Sequence, residues 1–178
     1  TTGFAIVLFS FSKSIVFPCS LYYNMQRMIV QEVTTMIIET RTPEETFALG
    51  KKIGEQACPG QIYTLNGDLG VGKTVFTQGV AAGLGIQEPI CSPTFTIIQE
   101  YESGRLPFYH FDVYRIGDIE EMEEIGYDDY FFGQGICLIE WAELIEEILP
   151  DRLIRVKIEK NLEEGFDYRK ITVEGIEE

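Results

Sequence analysis

Gly67-Asp68-Leu69-Gly70-Val71-Gly72-Lys73-Thr74 spells G-x-x-x-x-G-K-T and follows directly on the apolar segment 61–66. Each residue type in it answers a physical requirement. Glycines at 67, 70 and 72 let the backbone curl so that successive N–H groups face one anion. The Lys73 ammonium reaches β- and γ-phosphates, and the Thr74 hydroxyl can ligate Mg²⁺. A helix starting here adds its N-terminal partial positive charge to the same anion. The pattern arises by chance in roughly one chain in a hundred at ordinary amino-acid usage, so its surroundings decide. Ile62, Tyr63, Thr64 and Leu65 suit a strand, and residues 75–82 read as a helix closing at Gly83 or Gly85. Strand, loop and helix in that order predict an α/β fold built to hold ATP or GTP.

A chain of 178 residues is long enough for one domain with a real core. It is 45% hydrophobic and 24% charged, with a net charge of −15 and no basic stripe. Phosphate backbones need clustered Lys and Arg, so direct nucleic-acid binding is not expected. Cys19, Cys58, Cys91 and Cys137 form no C-x-x-C pair, which argues against a zinc site or a disulfide framework and fits a reducing, cytoplasmic setting. Residues 1–35 hold only Lys13, Arg27 and Glu32 as charges. They lack the basic start and cleavage pattern of a signal peptide, and Lys13 with several serines interrupts any membrane span. They are expected to be an extension outside the domain, with Met36, Met25 or Met28 as the functional start, leaving 36–178 as the domain.

Along that domain, residues 36–39 suit a short strand. Thr42-Pro43-Glu44-Glu45 opens a helix, with Thr42 as N-cap, Pro43 first and Glu45 completing a capping box. Phe47, Leu49, Ile53 and Ala57 give its apolar side, and Cys58-Pro59-Gly60 stops it. Residues 97–101 and 108–114, joined by a turn at 102–105, predict an antiparallel hairpin. Residues 118–124 predict a short acidic helix, and 136–141 a buried parallel strand. A helix at 142–149 ends before Pro150, and strands at 153–159 and 168–173 flank a loop at 161–167. The order predicts one α/β domain with a mixed parallel and antiparallel sheet flanked by helices.

A triphosphatase of this class needs a carboxylate at a strand end for Mg²⁺ and a group to position water. Asp112 ends the run Phe108-Tyr109-His110-Phe111, and Glu140 ends Ile136-Cys137-Leu138-Ile139. Each is a candidate, against the plainer reading of a satisfied strand-end carboxylate. The remaining acids, as in 120–124, read as a solvated helix face. His110, the only histidine, shares a strand face with Asp112 and reads as a packed or hydrogen-bonded residue before a catalytic base. Thr94, in Ser92-Pro93-Thr94, is either a switch threonine or a turn residue. Trp141 reads as a packing anchor beside the nucleotide edge.

Taken together, Gly67–Thr74, Ser92-Pro93-Thr94-Phe95, His110-Phe111-Asp112-Val113-Tyr114-Arg115 and Ile139-Glu140-Trp141 resemble the TsaE (YjeE) family of small bacterial ATPases. These serve the threonylcarbamoyladenosine modification at adenosine 37 of tRNA. The resemblance runs from about residue 36 to the C-terminus. It implies that Gly67, Asp68, Leu69, Gly70, Val71, Gly72, Lys73 and Thr74 hold the ATP phosphates. It further implies Thr74 and Glu140 as Mg²⁺ ligands, Asp112 in or next to the metal shell, and Thr94 as a switch-like residue. Thr42 and Arg169 would contact the nucleotide. Lys73, Asp112 and Glu140 would carry the chemistry, and TsaD- and TsaB-like proteins would be partners, with tRNA reached only through them and no membrane involved.

Two other activities fit the loop less well. A small-molecule kinase needs a lid with clustered arginines, and only Arg105 and Arg115 stand near the centre of the chain. A GTPase needs N-K-x-D, and no Asn here precedes a Lys. A nucleotide-binding scaffold without turnover stays open at this stage.

Overall fold

The phosphate-loop strand sits at the middle of a seven-stranded sheet. In this computed structural model residues 35–176 are described, so the expectations for the N-terminal extension lie outside the described residues. The elements are β1 (Thr35–Thr40), α1 (Pro43–Gln56), β2 (Ile62–Asn66), α2 (Lys73–Gly83), β3 (Ile98–Tyr101) and β4 (Phe108–Asp112). There follow α3 (Glu120–Ile125), α4 (Tyr127–Phe131), β5 (Ile136–Glu140), a 3-10 helix (Ala142–Ile148), β6 (Ile154–Lys160) and β7 (Arg169–Glu174). The sheet order is β1-β7-β6-β2-β5-β4-β3. β2 pairs parallel with β5 and β6, and β4 parallel with β5. The outer pairs β3/β4, β6/β7 and β1/β7 are antiparallel. The expected mixed α/β domain is therefore observed.

Alternation along the central strands divides the core into two layers. Tyr63, Leu65, Phe108, Leu138, Val156 and Ile158 pack with α1 and α2. Ile62, Phe111, Cys137 and Ile139 pack on the other face with Met122, Phe131 and Ile145. Because β6, β2, β5 and β4 run parallel, their C-terminal ends share one edge of the sheet. In open α/β sheets ligands sit outside that edge.

Helix α1 starts as its sequence requires, with the Thr42 hydroxyl accepting from the Glu45 amide at 3.2 Å. The Glu45 carboxylate reaches back one residue further than a capping box needs, to the Arg41 amide at 2.6 Å. Its buried side differs from the expected apolar one: Thr46, Gly50, Ile53 and Gly54 are buried, while Phe47 and Leu49 are only half-buried. The reason is a glycine seam. A Cβ on Gly54 would lie 2.1 Å from the Val80 carbonyl oxygen, and one on Gly79 would lie 2.2 Å from that of Phe47. Backbone meets backbone there, which an apolar-periodicity reading does not register.

Other differences are local. Residues 113–114 leave β4 early, because the Val113 amide turns to the Glu140 carbonyl at 3.2 Å. The segment after β5 winds as a 3-10 helix kinked at Ile145, and α4 was not anticipated. Cys91 and Cys137 are free thiols. No helix among the described residues is long and apolar enough to cross a membrane.

Candidate functional site

Residues 67–72 turn from β2 into α2 through three glycines with positive φ: Gly67 at 153°, Gly70 at 72° and Gly72 at 104°. Gly67 is also needed for space, since a Cβ there would lie 2.5 Å from the Ile158 carbonyl oxygen. Gly72 stands as the left-handed cap of α2, so the free amides of the first turn open toward the loop. Asp68, Leu69 and Gly70 are exposed, Val71 and Lys73 are buried, and Thr74 is half-buried.

Lys73 lies across this loop. Its ammonium donates to the Gly67 carbonyl at 2.7 Å and the Asp68 carbonyl at 3.2 Å. Two of three ammonium donors thus brace the loop. The same nitrogen sits 4.1 Å from the centre of the Trp141 ring, a cation–π contact worth about 0.5–2 kcal/mol. Burial pushes the Lys73 pKa below its ordinary value, while Glu140, Asp112, Glu143 and Asp68 act in the opposite direction. Trp141, expected as a packing anchor beside the nucleotide edge, thus touches the Lys73 cation.

The two candidate carboxylates are cross-strand neighbours: Asp112 of β4 registers with Glu140 of β5. Both are almost fully buried, at 2% and 3% exposure. Their partners differ. Asp112 Oδ2 accepts from the Ser92 hydroxyl at 2.6 Å and the Thr94 hydroxyl at 2.5 Å. Its Oδ1 accepts from the Tyr114 amide at 3.2 Å. Asp112 thus clasps the Ser92–Thr94 segment onto the end of β4. Glu140 Oε1 accepts from His110 Nε2 at 3.0 Å. Its Oε2 has no protein partner, yet it is not among the fully enclosed orphan atoms, which are Asn66 Oδ1 and His110 Nδ1. Oε2 therefore keeps access to solvent.

Thr42 caps α1, its hydroxyl accepting from the Glu45 amide and its carbonyl from the Thr46 amide and hydroxyl. Arg169 does reach the loop, through its backbone: Nε donates to the Val71 carbonyl at 2.5 Å. Its Nη1 donates to the carbonyls of Phe166 and Tyr168 at 2.8 and 2.7 Å. Sequence reasoning passed over Ser92 as a partner of Asp112, though it stood in the same quoted segment as Thr94. It also missed two strained residues beside the carboxylates, Ile97 with φ 66° and Trp141 with φ 62°. A β-branched residue at positive φ is an outlier, and no sequence signal announces it.

Thr74, Glu140 and Asp112 offer only hard oxygens. No cluster of three or more His, Cys, Asp or Glu able to cage a metal occurs among the described residues. That donor set suits Mg²⁺ completed by phosphate and water oxygens, not a metal held by protein alone.

Residues 40–171 match the family described as "Threonylcarbamoyl adenosine biosynthesis protein TsaE". A TsaE protein of Bacillus subtilis is 53% identical over 77% of this chain and 84% of its own length. One from Treponema pallidum is 40% identical over 75% of this chain and 96% of its own. The crystal structure of Bacillus subtilis YdiB superposes with a TM-score of 0.70 and 46% identity, covering 83% of this chain and 89% of that one. The chain belongs to the TsaE family of tRNA threonylcarbamoyladenosine biosynthesis proteins.

Proposed function

We propose that this chain binds ATP with Mg²⁺ at Gly67–Thr74 and hydrolyses it in support of threonylcarbamoyl transfer to tRNA. The observation that carries the reading is Lys73, braced on two loop carbonyls beside the paired carboxylates of Asp112 and Glu140. The loop amides and Lys73 bind the phosphates and absorb charge as the γ-phosphoryl moves to water. Thr74 and Glu140 would hold Mg²⁺, which supplies electrostatic stabilisation of the phosphate oxygens. Asp112, with both oxygens already accepting hydrogen bonds, sits one step out and holds Thr94 in place as a switch-like residue.

Two arginines that a kinase lid would require are occupied elsewhere. Arg105 donates to the Gly54 and Ala57 carbonyls, both at 2.6 Å, and Arg115 stacks 4.3 Å over Phe95. The strongly acidic chain is suited to reach tRNA through other proteins, TsaD- and TsaB-like partners in a cytoplasmic complex. Titration with ATP and GTP, and phosphate release with and without those partners, test the reading. Preference for GTP, or transfer to a small acceptor, overturns it.

A further inference from the structure

His110 has no part in the mechanism above, yet its setting is unusual for a residue that only packs. It is fully buried, it stacks on Phe108 with ring centroids 6.2 Å apart and planes 19° apart, and its Nδ1 has no partner. A buried nitrogen without a partner is destabilising, so an apolar ring would suit this wall better. The one polar contact that the imidazole makes is with Glu140 Oε1.

We propose that His110 is the positioning residue for Glu140, fixing its carboxylate so that Oε2 alone is presented for a metal ion at the phosphate loop. This rests on the reading of the loop as an ATP–Mg²⁺ site. An ionised carboxylate only accepts hydrogen bonds, so Nε2 carries the proton and Oε1 is committed to it. The backbone end of Glu140 is held separately, by the Val113 amide on its carbonyl and by β5 pairing with β2 and β4. In that buried setting no other hydrogen bond among the described residues fixes how its carboxylate is turned. The bond to His110 sets that orientation, as outer partners of metal ligands commonly do.

The experiment compares His110→Phe, an apolar ring suited to stack on Phe108, with His110→Gln, whose amide nitrogen can stand where Nε2 does. Mn²⁺ affinity in the presence of a non-hydrolysable ATP analogue is read by electron paramagnetic resonance. Analogue affinity without metal and thermal melting are measured alongside. The expected result is a Mn²⁺ affinity about 10–100-fold weaker in His110→Phe, recovery in His110→Gln, and little change in metal-free analogue affinity in either. In a Glu140→Ala background His110→Phe should have no further effect on Mn²⁺. Unchanged Mn²⁺ affinity in His110→Phe overturns the proposal, as does equal loss in both variants in step with their melting. A wild-type chain that binds no analogue at all overturns the ATP reading itself, which is a separate outcome.

Discussion

Replacing Gly79 by alanine should weaken both the fold and the phosphate site, although alanine is the better helix former. A Cβ at 79 would stand 2.2 Å from the Phe47 carbonyl oxygen, 3.0 Å from the Lys51 nitrogen and 3.1 Å from the Gly50 Cα. Ordinary carbon–oxygen approaches end near about 3.3 Å, so α1 and α2 must part by roughly 1 Å. The obstacles are backbone and cannot rotate aside. Overpacking of this kind costs about 1–3 kcal/mol, while the gain in helix propensity returns about 1 kcal/mol. With backbone atoms in the way on three sides the cost lies in the upper part of that range, about 2–3 kcal/mol, which leaves a net loss of about 1–2 kcal/mol, or roughly 2–8 °C in melting temperature for a domain of this size. Urea denaturation followed by the fluorescence of Trp141 measures the first quantity, and ATP titration shows whether the start of α2 has moved. Gly117→Ala, where the nearest obstacle is the flexible Glu121 carboxylate at 3.5 Å, serves as the control and should stay within about 0.5 kcal/mol of wild type. A Gly79→Ala protein as stable as wild type, or more so, would refute the backbone seam.

Lys73→Ala should abolish ATP binding, because it removes the brace on Gly67 and Asp68 together with the phosphate ligand; retained affinity by calorimetry would contradict the site. Since burial lowers the Lys73 pKa, ATP affinity in the wild type should fall with rising pH before an ordinary lysine would lose its proton, and a decline only above that point would count against the placement. Arg105→Ala strips the donor from two carbonyls at the end of α1 and should cost about 2–4 kcal/mol by denaturation with ATP affinity kept. Burial pushes the Cys137 thiol from 9.0 up to about 12, so between those values the unfolded chain ionises first and this group makes stability fall as pH rises. By the same burial, iodoacetamide should label exposed Cys91 and spare Cys137 in the native protein, and mass spectrometry showing Cys137 modified would mean the β5 core is open.

How much of this was written in the sequence depends on whether the feature is local. The phosphate loop, the capped start of α1 and the carboxylates ending β4 and β5 are short-range patterns, and strand alternation places Asp112 and His110 on one face. The pairing of Asp112 with Glu140 needs the sheet order, which brings together residues far apart in the chain. The seam of Gly50, Gly54, Gly79 and Gly83 carries no apolar signal because its role is the absence of a side chain, visible only once the second helix is in place. Arg169, expected near the nucleotide, donates to the Val71 carbonyl of the phosphate loop, 98 residues away along the chain, a closeness that only the folded sheet creates. Thr94 was left between turn and switch, and its bond to Asp112 shows what it holds but not what releases it.

Ile97 and Trp141 give the site edge a particular thermal behaviour. Each is held at a positive φ that its side chain disfavours, at about 1–3 kcal/mol apiece, and each is coupled to one carboxylate strand. The Ile97 carbonyl accepts from the Asp112 amide at 2.9 Å, and Trp141 directly follows Glu140. Local openings take the path that relieves most strain for fewest broken contacts. The amides of residues 92–97 and 141–145 should therefore exchange with solvent hydrogen well ahead of β2 and β5 a few ångströms away. Such an exchange pattern would mark a rigid floor beneath the Gly67–Thr74 loop and a rim that opens on its own, at a lower free energy than the domain that carries it.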